Sequence, residues 1–264
     1  MSDFITPQGV ALAYDDIRPA GAESTIVLIH GFASNRREGW RRTGWFAAFE
    51  RRRIRCAALD QRGHGESQKF YDPAAYAPDA LAADVVALLD HLEIERADLF
   101  GYSMGSRTAI ATAAAAPDRV SSLILGGVGG RLFEPRHPSP GPGEMTVGEA
   151  MLAEDVDAIR PELMKSFRHF ADEQGGDRRA LAAFVQTETP SFRRETLAGL
   201  SMPVLVLAGA RDEVAGDPAG LAAAFPDGRG VALPGLDHFS AIPHAATKAT
   251  VFDFLDGSLD WEMR

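Results

Sequence analysis

Asp98-Leu99-Phe100-Gly101-Tyr102-Ser103-Met104-Gly105-Ser106 decides how this chain folds. Residues 98–102 read as a short apolar strand, and the alanine-rich residues 106–115 read as a helix. Between them stands a serine with one glycine two places before it and another two places after. A strand that turns directly into a helix needs small residues at those two positions. Such a turn leaves the serine hydroxyl exposed, with the positive end of the following helix behind it. The plain alternative is a serine that caps a helix between two chance glycines.

The pattern extends outward on both sides. Strands are expected at residues 10–17, 25–30, 54–60, 98–102, 120–126, 204–209 and 230–233. Most of the later ones are continuous apolar runs, as parallel strands covered on both faces are. Helices are expected at 41–52, 80–92, 106–115, 218–225 and 245–255, and Pro117 and Pro226 end two of them. This alternation predicts an α/β fold with a mostly parallel central sheet flanked by helices. Residues 129–200 break the rhythm. They open on a Pro/Gly-rich stretch, 134–143, and continue with helical patterns at 146–159, 161–173 and 177–187. The expected organisation is a core of residues 1–128 and 201–264, with 129–200 inserted as a helical cap or lid over one edge of the sheet.

A serine hydroxyl is a poor nucleophile at neutral pH and needs an adjacent base. The chain has seven histidines. His30 and His64 sit in tight glycine-bounded loops and read as structural. His91 falls on a solvated helix face, His137 and His169 lie in the inserted segment, and His244 starts the last helix. His238 remains, in a loop after the final strand that reaches the same sheet edge as the serine turn. The acid that orients the base should also come from that edge. Residues 204–209 end in Ala210-Arg211-Asp212-Glu213, and Asp212 is preferred because its shorter side chain has less freedom than Glu213. Asp237 is a distant rival, since sequence neighbours seldom place both side chains for one Asp–His bond. The order Ser103, Asp212, His238 is the one tied to this architecture.

A tetrahedral oxyanion needs two backbone N–H donors. Met104, directly after Ser103, supplies one, and the loop after the strand Ile26-Val-Leu-Ile-His30-Gly31-Phe32 supplies the other, assigned to Phe32. Gly31 and Tyr102 are expected to border the substrate. Arg36, Arg37, Arg41 and Arg42 follow that loop; they read as a solvated helix face, with attraction of an anionic substrate as the alternative. In the inserted segment, Met151, Leu152, Leu163, Phe167, Phe170 and Phe184 either glue it to the core or line an acyl pocket.

Composition narrows the remaining classes. With 264 residues, 45% of them hydrophobic, the chain can fill one large core. A formal net charge of -10 argues against a nucleic-acid partner. The one cysteine, Cys56, allows no internal disulfide and reads as a buried strand residue. The N-terminus lacks the basic and apolar regions of a signal peptide, and no apolar run nears the roughly 20 residues of a membrane span. A cytoplasmic location is expected, with no membrane partner; a homodimer is left open.

These residues resemble the α/β-hydrolase superfamily. The resemblance rests on His30-Gly31-Phe32, Asp60-Gln-Arg62-Gly63-His64-Gly65-Glu-Ser67, Gly101-Tyr-Ser103-Met-Gly105, the strand ending at Asp212 and the loop carrying His238. It departs from many relatives at Ser106, where a further glycine is common. It implies a helical cap between core strands, and neither metal nor organic cofactor. A serine at the turn argues against the dehalogenase and epoxide-hydrolase branches, which place aspartate there. The implied activity is serine-dependent cleavage of a small-molecule ester or lactone. Carbon–carbon bond hydrolysis, perhydrolysis and a non-catalytic ligand receptor are the alternatives.

Overall fold

The structure is a computed structural model that describes residues 2–134, 141–187 and 191–259. His137 and most of the Pro/Gly-rich stretch lie outside the described residues. In chain order the elements are β1 (Ser2–Ile5), β2 (Ala11–Ile17), β3 (Ser24–Ile29), α1 (Trp45–Arg51), β4 (Ile54–Leu59), α2 (Pro78–His91), β5 (Ala97–Tyr102), α3 (Met104–Ala115) and β6 (Val120–Gly126). The helices α4 (Val147–Leu152), α5 (Glu162–Glu173), α6 (Arg178–Gln186) and α7 (Arg194–Ala198) follow. The chain then returns to β7 (Val204–Gly209), α8 (Pro218–Ala222), β8 (Gly228–Leu233) and α9 (Ala245–Leu255). Among the described residues the strands form one sheet in the order β1-β2-β4-β3-β5-β6-β7-β8. Only the pairs β1–β2 and β2–β4 are antiparallel.

Strand periodicity divides the core between the two faces of this sheet. Val27 and Ile29 of β3 join Leu99, Leu123, Leu125 and Ile110 on one face. Ile26 and Leu28 join Phe100, Ile124, Leu205 and Trp45 on the other. Side chains this deeply buried each stabilise the fold by about 1.5–3 kcal/mol. Continuous apolar strands are therefore required, because helices cover both sides.

Four differences from the expected elements have physical causes. β1 lacks an apolar run; it pairs with the edge of β2 through a turn closed by Gly9 N–H to the Thr6 carbonyl at 2.8 Å, with Gly9 at φ 81°. The helix expected at 41–52 is split: a π-helical turn, Arg37–Arg41, gives way at Gly44 (φ 81°) to α1. The pattern at 146–159 yields only α4 and the single 3-10 turn Val156–Ala158, and the polar five-residue α7 carries no apolar periodicity to announce it. No described helix is long and apolar enough to cross a membrane.

Candidate active site

The turn after β5 has the strain its sequence demands. Ser103 sits at φ 54°, ψ -112°, a region that L-residues rarely adopt. The glycines around it are steric necessities. A Cβ on Gly101 would overlap the Gly105 carbonyl, and one on Gly105 would overlap the Ile29 carbonyl, where α3 crosses the end of β3. Ser103 occupies the N-cap position of α3, yet its side chain makes no capping bond. The hydroxyl instead faces His238, with Oγ 3.0 Å from Nε2. The turn is pinned by Ser103 N–H to the Gly126 carbonyl at 2.7 Å and by Ser106 Oγ, 2.9 Å from the carbonyls of Gly101 and Gly126. Serine thus takes over, at the position where a glycine is common, the task of tying α3 to β5 and β6.

His238 Nδ1 lies 2.8 Å from Asp212 Oδ2. A carboxylate only accepts, so Nδ1 carries the hydrogen, and Nε2 of the neutral ring is left to accept from Ser103. The other carboxylate oxygen of Asp212 accepts from the N–H groups of Val214 and Ala215, both at 2.9 Å. His238 and Asp212 are each 6% exposed. Asp237, the rival acid, is spent on its own loop, where its Oδ1 accepts from Phe239 N–H, Ser240 N–H and Ser240 Oγ. Those bonds, first that from the Ser240 backbone, hold its pKa below the usual aspartate value. Glu213 is exposed.

Phe32 and Met104 both border the space beside Ser103, and neither backbone N–H has a protein partner among the described residues. Gly31 borders the same space, and a Cβ there would meet the Tyr102 carbonyl oxygen at 3.3 Å. Tyr102 borders the same region, but its hydroxyl donates to the His238 carbonyl at 2.6 Å. Burial raises its pKa, so the phenol stays a donor that fixes the histidine loop.

Two cavities flank Ser103. The first, about 480 Å³, is bordered by His238, Phe239, Phe167, Phe170, His169 and Glu38. The second, about 290 Å³, is bordered by Phe32, Met104, Arg107, Arg131, Leu163 and Phe167. Of the six apolar residues expected at a pocket, Leu163, Phe167 and Phe170 reach a cavity. Met151 and Phe184 are fully buried in packing clusters, and Leu152 is exposed. Phe239 and Arg107 were missed, although adjacency to His238 and a one-turn spacing from Ser103 were available signals.

The arginines after the oxyanion loop and His30, His64, His91 and His244 have structural partners. In the arginine cluster Arg37, Arg41 and Arg42 are exposed, as a solvated face requires, and Arg36 alone departs from that expectation. Arg36 is buried against Asp60, Asp15 and Glu66, Arg37 pairs with Glu66, Arg41 with Asp15 and Arg42 with Glu38. Asp60 also accepts the N–H groups of Arg36 and Glu66, and Arg62 forks onto Asp84, so the 60–67 turn is a buried polar clasp. His30 has both ring nitrogens bonded, to Gly31 O and Gln61 N–H, and burial lowers its pKa. His64 is driven by burial to about 3. His91 is exposed, but its ring stacks on Phe4 and meets the Tyr14 hydroxyl. His244 caps α9.

Comparison with known proteins agrees with this geometry. The family model described as alpha/beta hydrolase fold matches residues 24–148. The chain is 36% identical over 146 residues to the dihydrolipoyllysine-residue acetyltransferase component of the acetoin cleaving system of Pseudomonas putida; the match covers 54% of this chain and 35% of that protein. It therefore spans about a third of the length of that relative. It is 28% identical over 222 residues to 3-oxoadipate enol-lactonase 2 of Acinetobacter baylyi, covering 80% of each. A solved thermophilic esterase from Thermogutta terrifontis superposes with a TM-score of 0.71 at 26% identity, covering 97% of this chain and 98% of that one. A strand-to-helix serine turn, a mostly parallel sheet of this order and these matches agree: the chain has the α/β-hydrolase fold.

Proposed function

We propose that the protein is a serine hydrolase that cleaves small carboxylic esters or lactones through an acyl-enzyme. The observation that carries this reading is the unbroken line from Asp212 Oδ2 to His238 Nδ1 (2.8 Å) and from His238 Nε2 to Ser103 Oγ (3.0 Å). Ser103 Oγ attacks the carbonyl carbon while His238 Nε2 takes its proton, and Asp212 stabilises the resulting imidazolium. The oxyanion is held by the N–H groups of Phe32 and Met104. Collapse expels the alkoxide, which takes the proton from His238. Water, deprotonated by His238, then attacks the acyl-enzyme and releases the acid and free Ser103.

Because the leaving oxygen must receive its proton from His238, it departs into the first cavity, which His238 borders. The acyl portion then lies in the second, beside the two N–H donors. Residues 129–200 act as a cap in this reading, since Leu163, Met164, Phe167 and Phe170 form walls of the two cavities. The esterase and enol-lactonase relatives support ester-type chemistry over the alternatives. The test is hydrolysis of a 4-nitrophenyl ester by the Ser103→Ala variant. Turnover should fall at least ~10³-fold; a rate equal to that of the unaltered protein would remove Ser103 from the reaction.

A further inference from the structure

The buried arginines of this protein are balanced by acceptors, and the half-buried Arg107 is not. Arg36 meets three carboxylates, Arg62 forks onto Asp84, and Arg168 reaches Asp172 and two carbonyls. Arg107 has no ion pair among the described residues, and its buried Nη1 has no hydrogen-bond partner. The Phe192 ring lies at a distance from its guanidinium, 5.9 Å to the centroid. A half-buried guanidinium with an unpaired buried nitrogen is costly and is kept where something else supplies the anion.

Its position says what that anion belongs to. Arg107 lies four residues after Ser103, one turn along α3, and borders the cavity that contains Ser103 and Met104. It also borders a crevice of about 20 Å³, room for a single water at most. We propose that Arg107 binds a carboxylate at the far end of the substrate's acyl chain, so that the substrate class is a half-ester or lactone of a short dicarboxylic acid. This rests on the serine-hydrolase reading above, which assigns the acyl portion to that cavity. The planar fork of arginine suits a carboxylate. Glu134 and Glu213 border the same cavity as Arg107 and Arg131, a mixture of charges that favours a singly charged carboxylate over a phosphate dianion.

The experiment compares mono-4-nitrophenyl glutarate with 4-nitrophenyl pentanoate, which match in chain length and differ by the terminal carboxylate. The unaltered protein should prefer the glutarate in kcat/KM, and Arg107→Met should reduce that preference about 10- to 100-fold, the range of one charge-assisted bond. Arg107→Lys, which keeps the charge without the fork, should fall between them. A merely structural arginine would lower the melting temperature and both rates in proportion; Arg107→Met should melt no lower than the unaltered protein. An unchanged ratio, or no preference in the unaltered protein, overturns the proposal. If the unaltered protein hydrolyses neither ester, the hydrolase reading fails instead. Calorimetric binding of glutarate, expected for the unaltered protein and weakened in both variants, then decides Arg107 separately.

Discussion

The C-terminal edge of the sheet and the helices between β6 and β7 face each other across Ser103, and they are held by different physics. At the edge, backbone sets position. Gly101, Gly105 and Gly209 each pack where a Cβ would strike a carbonyl, and Asp212 has both carboxylate oxygens bonded. The helices instead meet the edge through rings: Phe32 with Phe167 at 6.2 Å, and Phe239 with Phe167 at 5.9 Å and Phe170 at 5.7 Å. Ring contacts of this kind are worth about 0.5–1.5 kcal/mol beyond burial and tolerate exchange. The edge therefore constrains the chemistry, and the helices constrain the shape of what reaches it.

Substitutions should separate the two regions by both size and kind of effect. The largest is expected at Asp212→Asn, which removes the anion that fixes the His238 tautomer. Its kcat on a 4-nitrophenyl ester should fall about 10⁴-fold with the fold intact by circular dichroism. Next comes Gly105→Ala, which drives a methyl into the Ile29 carbonyl. Denaturant unfolding should report a loss of about 3 kcal/mol.

Acid should weaken the edge as well. His64 is buried with its pKa lowered from 6.5 to about 3, so the folded protein binds fewer protons than the unfolded chain. Its contribution is present above pH 6.5 and is lost as pH falls from there toward 3, by up to about 1.4 kcal/mol per pH unit. Unfolding curves at pH 7, 6 and 5 should fall less steeply with acid in His64→Gln; an identical slope would remove this histidine from the account.

Within the helices the effects shrink. Phe167→Ala, which enlarges both cavities, should shift kcat/KM between short and long acyl esters by about tenfold while preserving turnover. Gly148→Ala provides the sharpest contrast with Gly105→Ala. Its Cβ would meet only Val185 and Gln186 side chains, the nearest at 3.4 Å, and it lies within α4. Alanine there should be neutral or stabilising by up to about 1 kcal/mol in the same unfolding measurement.

The same contrast explains what could be read from the chain before its structure. Gly101 and Gly105 announce a strained turn because no other residue fits, and the apolar runs of β5 to β7 announce a sheet covered on both faces. Asp212 and His238 follow from strand order. Illegible features depend on long-range packing. Arg36 looked solvated because the carboxylates that bury it come from β2 and from the 60–67 turn. Phe184 could be glue or pocket wall by its sequence, and the rings of His64 and Tyr76 make it glue. Helical periodicity identifies the buried face of a helix but not whether a protein core or a cavity lies opposite.

The most direct test of the central claim is reaction with a fluorophosphonate, followed by peptide mass spectrometry to locate the adduct. Displacement of fluoride by Ser103 Oγ, with His238 accepting the proton, should give one adduct, on Ser103. It should be absent from Ser103→Ala and slowed about 10³-fold or more in His238→Ala. An adduct on another residue, or none on a protein with native circular dichroism and melting temperature, would contradict the assignment of Ser103 as the nucleophile.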